Sequence, residues 1–171
     1  MPNELREGFD DKPLDELHRE AEAKVQTFRY KRPDQKEFGS KGLVRLGRGE
    51  IIRSVVQIVK QKGGENNLHY HTHVETLWWV IKGRVRFYGP NDAVIGEFGP
   101  NEGVITPRYS RYWFENAESE DLELLQVAAS DTVQHKSGRT DVAPRPAALK
   151  ITVLREESAG PPAGRLQVPS R

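Results

Sequence analysis

The chain has 171 residues, with 26 Lys and Arg against 25 Asp and Glu, and it contains no cysteine. A net charge of +1 provides no long-range attraction to nucleic acid or to a membrane surface, and the lack of cysteine excludes disulfides, thiolate metal sites and thiol nucleophiles. Because the chain starts without an apolar leader and has no run of about 18 apolar residues, we expect a cytoplasmic protein with no nucleic-acid and no membrane partner.

Composition divides the chain into three zones within what its length predicts to be one domain. Charged residues make up 30% of the chain and hydrophobic residues only 36%, so we expect the polar surplus to lie at the ends. The pattern predicts an N-terminal helical arm over 1–40, a β domain over 41–130 and a C-terminal extension over 131–171. The extension ends in Gly and Pro with few residues to bury, which predicts a disordered tail from Arg155 onward.

The arm contains one helical pattern, which begins at Pro13. Apolar residues then recur at helical spacing, and two pairs of opposite charge stand four residues apart. The apolar positions are Leu14, Leu17, Ala21, Val25 and Phe28. We expect this amphipathic helix to bury its apolar stripe on the outside of the β domain, with exchange between two subunits as the alternative.

From Leu43 the pattern becomes that of short β-strands separated by Gly, Pro, Asn or Asp. Many short strands with regular turns predict an all-β antiparallel sandwich or barrel. Gly83 suits a tight turn that needs positive φ, and Gly89–Asp92 suits a hairpin. The predicted strands cover 43–46, 50–61, 67–73, 76–82, 84–88, 93–98, 103–106, 111–115 and 122–129, and 147–154 is compatible with a final strand.

Three histidines and a glutamate alternate along the strand that follows Gly63 and Gly64. Since side chains alternate faces on a strand, His69, His71, His73 and Glu75 are predicted to point the same way. Neutral imidazole suits Zn, Cu, Fe or Ni, and an added carboxylate makes the set typical of Fe or Mn as well. Alternate residues are about 6.6 Å apart, so at most two neighbouring histidines share one ion, and a third ligand must come from beyond a turn.

Candidate substrate contacts lie on the strand over 50–61. Arg53 and Gln57 share one of its faces, and together they would suit a carboxylate or carbonyl group of a small substrate. The alternative is that this face lies on the outside. Trp78 and Trp79 are adjacent and must face opposite ways, so an outward tryptophan indicates a covered surface, either a homodimer contact or the underside of the helix.

The spacing of these residues resembles the first motif of the cupin family. That motif reads Gly, five residues, His-x-His, three or four residues, Glu, six residues, Gly. Because seven residues separate Glu75 from Gly83, Thr76 is the second candidate for the ligand position of the glutamate. The corresponding residues here are Gly63, His69, His71, Glu75 and Gly83.

A second cupin-like motif follows, which in the family reads Gly, five residues, Pro-x-Gly, two residues, His, three residues, Asn. Pro107 and Asn116 occupy their expected places. Asn101 and Tyr109 replace the two glycines, and Tyr112 stands where the family has a metal-binding histidine. The resemblance covers about residues 42–130.

The resemblance implies a cupin-type double-stranded β-helix, a jelly-roll barrel over 41–130, with the amphipathic helix before it. It also implies a divalent metal ion held by His69, His71 and Glu75, with Fe favoured among Fe, Mn, Ni, Cu and Zn. Tyr112 could be a tyrosinate ligand, a neutral phenol beside a three-ligand metal, or the mark of a lost site, and we favour the neutral phenol. His73 could face solvent, bind the metal or act as an acid or base.

These expectations indicate a metal-dependent enzyme that acts on a small anionic or aromatic molecule inside the barrel. A dioxygenase-type oxidoreductase is the commonest activity that the resemblance implies, with Tyr112 and His73 as catalytic residues and Arg53 and Gln57 as substrate contacts. An isomerase or lyase is the next choice. A non-catalytic barrel that binds or senses a small ligand, with Tyr112 and Thr76 as marks of a decayed metal site, is a separate alternative, and we expect a homodimer in each case.

Overall fold

The computed structural model describes residues 12–61, 67–130, 138–143 and 151–155. Within these residues the protein has one α-helix, α1 (Leu14–Ala23), and is otherwise built from short strands, which confirms the all-β prediction. The strands are β1 (Lys41–Arg48), β2 (Ile52–Val59), β3 (Leu68–His71), β4 (Val74–Lys82), β5 (Val85–Tyr88), β6 (Val94–Phe98), β7 (Gly103–Thr106), β8 (Trp113–Asn116), β9 (Leu122–Ser130), β10 (Arg139–Ala143) and β11 (Ile151–Arg155).

The strands form one large sheet and two smaller ones. The large sheet has the order β11-β1-β2-β9-β4-β7, and the smaller sheets have the orders β10-β3 and β6-β5-β8. An antiparallel bridge between His69 and Tyr112 joins the two smaller sheets. The barrel therefore consists of two layers, and the bridge lies in the middle of the second layer.

The expected C-terminal extension supplies a strand to each layer. β10 pairs antiparallel with β3, and β11 pairs parallel with β1. β11 overlaps the final strand predicted over 147–154. The disordered tail was predicted from Arg155 onward, but Arg155 is the last residue of β11. The rest of that tail, like Gly63 and Gly64 of the first motif, lies outside the described residues.

Helix α1 is shorter than its apolar pattern predicts. It ends at Ala23, and Val25 and Phe28 lie beyond it with exposed side chains. The residues that follow are rich in β-branched and aromatic side chains, which disfavour a helix. The chain divides into two compact units, and the unit that carries the barrel spans Phe28–Ser158, so the last part of the predicted arm belongs with the barrel.

The large sheet is covered by apolar side chains on both faces at β1 and β2. On the outer face, Phe38 packs with Val44, Val56 and Ile58. On the inner face, Val59 joins a core of residues from both layers. The other members of that inner core are Trp78, Val80, Val85, Phe87, Tyr112, Phe114, Leu122 and Leu124.

Four non-glycine residues in the described part have positive φ, and two of them replace the glycines of the second motif. Asn101 has φ 68° and Tyr109 has φ 64°, so the backbone keeps the conformation that glycine would adopt without strain. Asparagine tolerates this region, but tyrosine rarely occupies it. Gly83 has φ +81°, as the tight turn predicts.

No helix in the described residues is long and apolar enough to cross a membrane.

Replacing Tyr109 by Gly is expected to stabilise the protein. A non-glycine residue in the left-handed region costs about 1–2 kcal/mol, and the ring of Tyr109 is 66% exposed, so little packing is lost with it. The free energy of unfolding, measured by urea denaturation, should be about 1 kcal/mol higher for Tyr109→Gly than for Tyr109→Ala. The Ala variant is the matched control, because it removes the ring and keeps the strain; equal stabilities would show that φ at this position carries no cost.

Candidate functional site

The inner face of the barrel contains a cavity of about 230 Å³. Its walls come from β1, β2, β3, β4, β9 and β10, together with the residue that precedes β8. Three cations line it: Lys41, Arg53 and Arg139. No Asp or Glu in the described part of the chain belongs to this lining, so its charged side chains are all basic.

Two imidazoles and a phenol form one wall. His69 and His71 lie on β3 with ring centroids 5.1 Å apart, and the ring of Tyr112 is 4.6 Å from that of His69. The His69–Tyr112 backbone bridge sets this contact, with N···O distances of 3.1 and 3.0 Å in the two directions. All three side chains are buried.

The protonation state of His69 is fixed by its surroundings. Burial, and after it the positive charge of Arg139, lowers the pKa of His69 to about 4, so its imidazole is neutral near pH 7. The Nδ1 of His69 is 2.6 Å from the carbonyl oxygen of Asn67, which can only accept a hydrogen bond. Nδ1 therefore carries the proton, and Nε2 has a free lone pair.

Tyr112 lines the cavity as a buried phenol. Burial raises the pKa of its phenol, and the neighbouring Thr106, Trp78 and Thr76 partly offset that increase. The phenol is therefore protonated at neutral pH. Its hydroxyl makes no hydrogen bond of normal geometry with the described residues.

A pair of amides lies across the cavity from the imidazoles, on β2 and β9. The Nε2 of Gln57 donates to the Oε1 of Gln126 at 2.7 Å. The Oε1 of Gln57 is buried without a hydrogen-bond partner among the described residues. An unsatisfied acceptor of this kind usually marks the place of a ligand or a water molecule.

Lys41 and Arg139 are cationic groups that interact with each other. Burial, followed by the charge of Arg139, lowers the pKa of Lys41 to about 7. Arg139 itself donates to Asp141 at 2.7 Å, which balances part of its charge. Arg53 has a lowered pKa as well, through burial and the nearby Arg48.

The structure does not bring Glu75 and His73 to the histidine pair, which corrects the expectation of a shared face. β3 ends at His71 and β4 begins at Val74, so the bend at Thr72 and His73 interrupts the alternation. The Glu75 side chain is 57% exposed and lies 4.0 Å from the guanidinium of Arg108. Neither residue lines the cavity, and His73 sits in the bend.

Thr76 occupies the inward position that the spacing to Gly83 indicates. It is 1% exposed and pairs with Thr106 of β7. A threonine hydroxyl cannot supply the negative charge of a carboxylate ligand. The ligand position of the family's glutamate is therefore held here by a neutral side chain.

Five lining residues were not among the predicted site residues: Lys41, Leu43, Trp78, Gln126 and Arg139. Leu43 pairs with Gln57 across β1 and β2, so alternation from Gln57 would have placed Leu43 and Lys41 inside once the register was known. No local sequence pattern indicates that Arg139 lines the cavity, because β10 reaches it by pairing with β3, which is far away in the sequence.

Comparison with known proteins identifies the fold. No protein-family model and no curated protein matches the sequence. An uncharacterised protein with a double-stranded β-helix domain from Klebsiella pneumoniae is similar in structure, with 20% identity, a TM-score of 0.50 and coverage of 66% of this chain and 90% of that one. An RmlC-like cupin from Methanocaldococcus jannaschii has 19% identity, a TM-score of 0.50 and coverage of 62% and 91%.

The chain therefore has the double-stranded β-helix fold, which the cupin-like spacing of its two motifs predicts. An oxalate decarboxylase from Lactobacillus farciminis also resembles it, at 15% identity and a TM-score of 0.44, over 54% of this chain and 27% of that one. At these identities the likeness concerns the fold and does not extend to an activity.

The donor set does not fit the divalent metal that the resemblance implies. No group of three His, Cys, Asp or Glu side chains in the described residues is placed to hold an ion. His69 and His71 are present, but Thr76 and a protonated Tyr112 occupy the other two ligand positions. Three basic side chains line the same cavity, and they would repel a cation.

Metal content tests this conclusion. We expect elemental analysis of protein purified without an affinity tag to find less than one Fe, Mn, Ni, Cu or Zn per chain, and the same level in the variant His69→Ala/His71→Ala. About one ion per chain in the unaltered protein, lost in the variant, would contradict the conclusion and restore the metal site.

The lowered pKa of His69 predicts loss of stability in mild acid. The unfolded chain binds a proton at the ordinary pKa of 6.5, whereas the folded chain binds it only at about 4. Stability is therefore full above about pH 6.5 and falls as the pH drops toward 4, by up to about 3 kcal/mol from this group. Urea denaturation should show a smaller loss over this range for His69→Gln, and an unchanged loss for the control His18→Gln on α1; identical curves for all three proteins would rule out the effect.

Proposed function

We propose that the barrel binds a small organic anion, a carboxylate with a hydroxyl or oxo group, inside the cationic cavity. The observation that carries this proposal is the lining itself: Lys41, Arg53 and Arg139 share one cavity with no acidic side chain among its described lining residues. Like charges in a region of low dielectric repel each other, and an anion between them offsets that repulsion. The metal-free binding barrel is thus favoured over the metalloenzyme.

The polar groups of the cavity suggest how such an anion is held. A guanidinium recognises a carboxylate through two parallel hydrogen bonds, which suits Arg53. The Tyr112 hydroxyl can donate to an oxo or hydroxyl oxygen, and the partnerless Oε1 of Gln57 can accept from a ligand hydroxyl. Leu43 and Trp78 provide an apolar wall for the carbon atoms of the ligand.

The size of the cavity limits the ligand. Sites for drug-sized molecules measure about 300–1,000 Å³, whereas this cavity measures about 230 Å³. A carboxylic acid of a few carbon atoms fits this volume. Lactate and pyruvate are therefore suitable probes for the hydroxyl and oxo forms.

The dioxygenase activity and the homodimer that the sequence analysis expects stay predictions. Dioxygenase activity needs a metal with open coordination positions, and the donor set gives it no support. The homodimer is supported by an apolar strip on the outside of β4 and β7, where Leu77, Trp79 and Ile105 are exposed on neighbouring strands.

Calorimetric titration with pyruvate and with lactate tests the proposal. We expect one of these anions to bind, and lactamide, which has the same shape as lactate without its charge, to bind at least about tenfold more weakly, because a hydrogen bond to a charged group contributes about 1.5–3 kcal/mol. Arg53→Met should weaken binding of the anion by a similar factor. The matched control is Arg45→Met, since Arg45 is an exposed residue of β1.

Binding of neither anion, or equal binding of lactate and lactamide, would contradict the proposal. So would an Arg53→Met variant that binds as well as Arg45→Met. Each of these results would show that the positive charge of the cavity does not select its ligand.

A further inference from the structure

Lys41 is the most unusual side chain in the cavity. It is the first residue of β1 and is 3% exposed, although lysine is among the residue types that are rarely buried. Its Nζ lies 5.1 Å from the centroid of the Phe114 ring, within the inner core. The amine of Lys41 is thus buried near an aromatic ring at the edge of a ligand-sized cavity.

The charged groups around Lys41 favour its neutral form. Arg139 acts on it directly, and Arg53 lines the same cavity. Together with burial, the charge of Arg139 lowers the pKa of Lys41 to about 7, so near pH 7 about half of the amine carries a lone pair. Desolvation and a neighbouring cation are the two conditions that activate lysine as a nucleophile toward carbonyl compounds.

We propose that the Nζ of Lys41 forms a covalent imine with the carbonyl carbon of a small 2-oxo carboxylate bound in the cavity. The inference deepens the proposed function, on which it rests for the class of the ligand. It assigns the oxo group of the ligand to Lys41 and the carboxylate to the guanidinium of Arg53. The position of Lys41 in the cavity wall, beside two cations that attract a carboxylate, carries the assignment.

The reaction proceeds in two balanced steps. In the first, the lone pair of Nζ forms a bond to the carbonyl carbon, the π electrons of the C=O bond move to oxygen, and one proton passes from nitrogen to that oxygen to give a carbinolamine. In the second, the oxygen takes up a further proton and leaves as water while the nitrogen lone pair forms the C=N bond. The product is a protonated imine, whose single positive charge comes from the proton taken up in the second step.

The same cavity contains groups that can supply the proton for the second step. Tyr112 is a protonated phenol without a hydrogen bond of normal geometry among the described residues, and it lines the cavity with Lys41. His69 is neutral near pH 7 and cannot donate from Nε2. Tyr112 is therefore the better donor of the two.

The test is reduction of the imine in the full-length protein. Sodium borohydride adds hydride to C=N and converts the imine into a stable secondary amine, which mass spectrometry detects as one added three-carbon group per chain when pyruvate is the probe. Peptide mapping then identifies the modified lysine. Mapping of the unaltered protein requires no variant, so the test is valid even where a substitution at this buried position impairs folding.

Lys60 provides a matched control. Its Nζ lies 5.1 Å from the centroid of the Phe38 ring, the same distance as in Lys41, but it does not line the cavity. We expect an adduct on Lys41 that Lys60→Arg leaves unchanged and that Lys41→Arg reduces at least about tenfold, because arginine keeps the charge and does not form imines.

The outcomes separate this inference from the proposed function. An adduct on Lys41 that lactate suppresses by competition supports both. Calorimetric binding of pyruvate with no adduct, or with adducts spread over surface lysines, overturns the imine and leaves the anion site intact. Pyruvate and uncharged propanal could also form the Lys41 adduct equally well. That result would show that the amine is reactive but that the cavity does not select a carboxylate, and it would overturn the inference as stated.

Discussion

Two backbone hydrogen bonds between His69 and Tyr112 connect the two halves of the second layer of the barrel. His69 belongs to the sheet β10-β3, whereas Tyr112 immediately precedes β8 of the sheet β6-β5-β8. This bridge is the point at which two small sheets become one wall. Because it also sets the distance between the two rings, the imidazole and the phenol reach the cavity as a pair. The placement of these two side chains in the cavity wall therefore depends on a contact between distant residues, which local sequence patterns do not show.

The bend at Thr72 and His73, just before β4, determines which side chains of β4 point into the barrel. It reverses the alternation after His71, so Glu75 faces solvent and Thr76 faces the interior. If the alternation continued without the bend, Glu75 would lie on the same face of the strand as the two histidines. With it, the inner surface keeps its imidazoles and basic side chains, and the acidic group lies outside against Arg108. One change of parity thus removes the carboxylate of Glu75 from the face that carries the histidines.

Local pattern was sufficient for most of the fold and for part of the site. Short β-rich runs separated by turn residues predicted β1 to β9 closely, and alternation on β2 placed Arg53 and Gln57 together. Glu75 was misplaced because alternation holds only while a strand continues, and spacing alone does not locate a bend. Lys41 and Arg139 were missed since their positions follow from strand register and from pairing with β11 and β3, which are contacts between distant parts of the chain.

The electrostatics of the cavity and the chemistry assigned to Lys41 support each other. A bound carboxylate would by itself stabilise the ammonium form of Lys41 and so reduce the supply of free amine. Burial and Arg139 oppose that effect, because they hold the amine partly neutral before the ligand arrives. Once the imine has formed, its nitrogen is positively charged and lies next to the carboxylate, in a region of low dielectric where that attraction is strong. The cavity disfavours the charge on the free lysine and favours it on the adduct, and this difference provides a driving force for covalent capture.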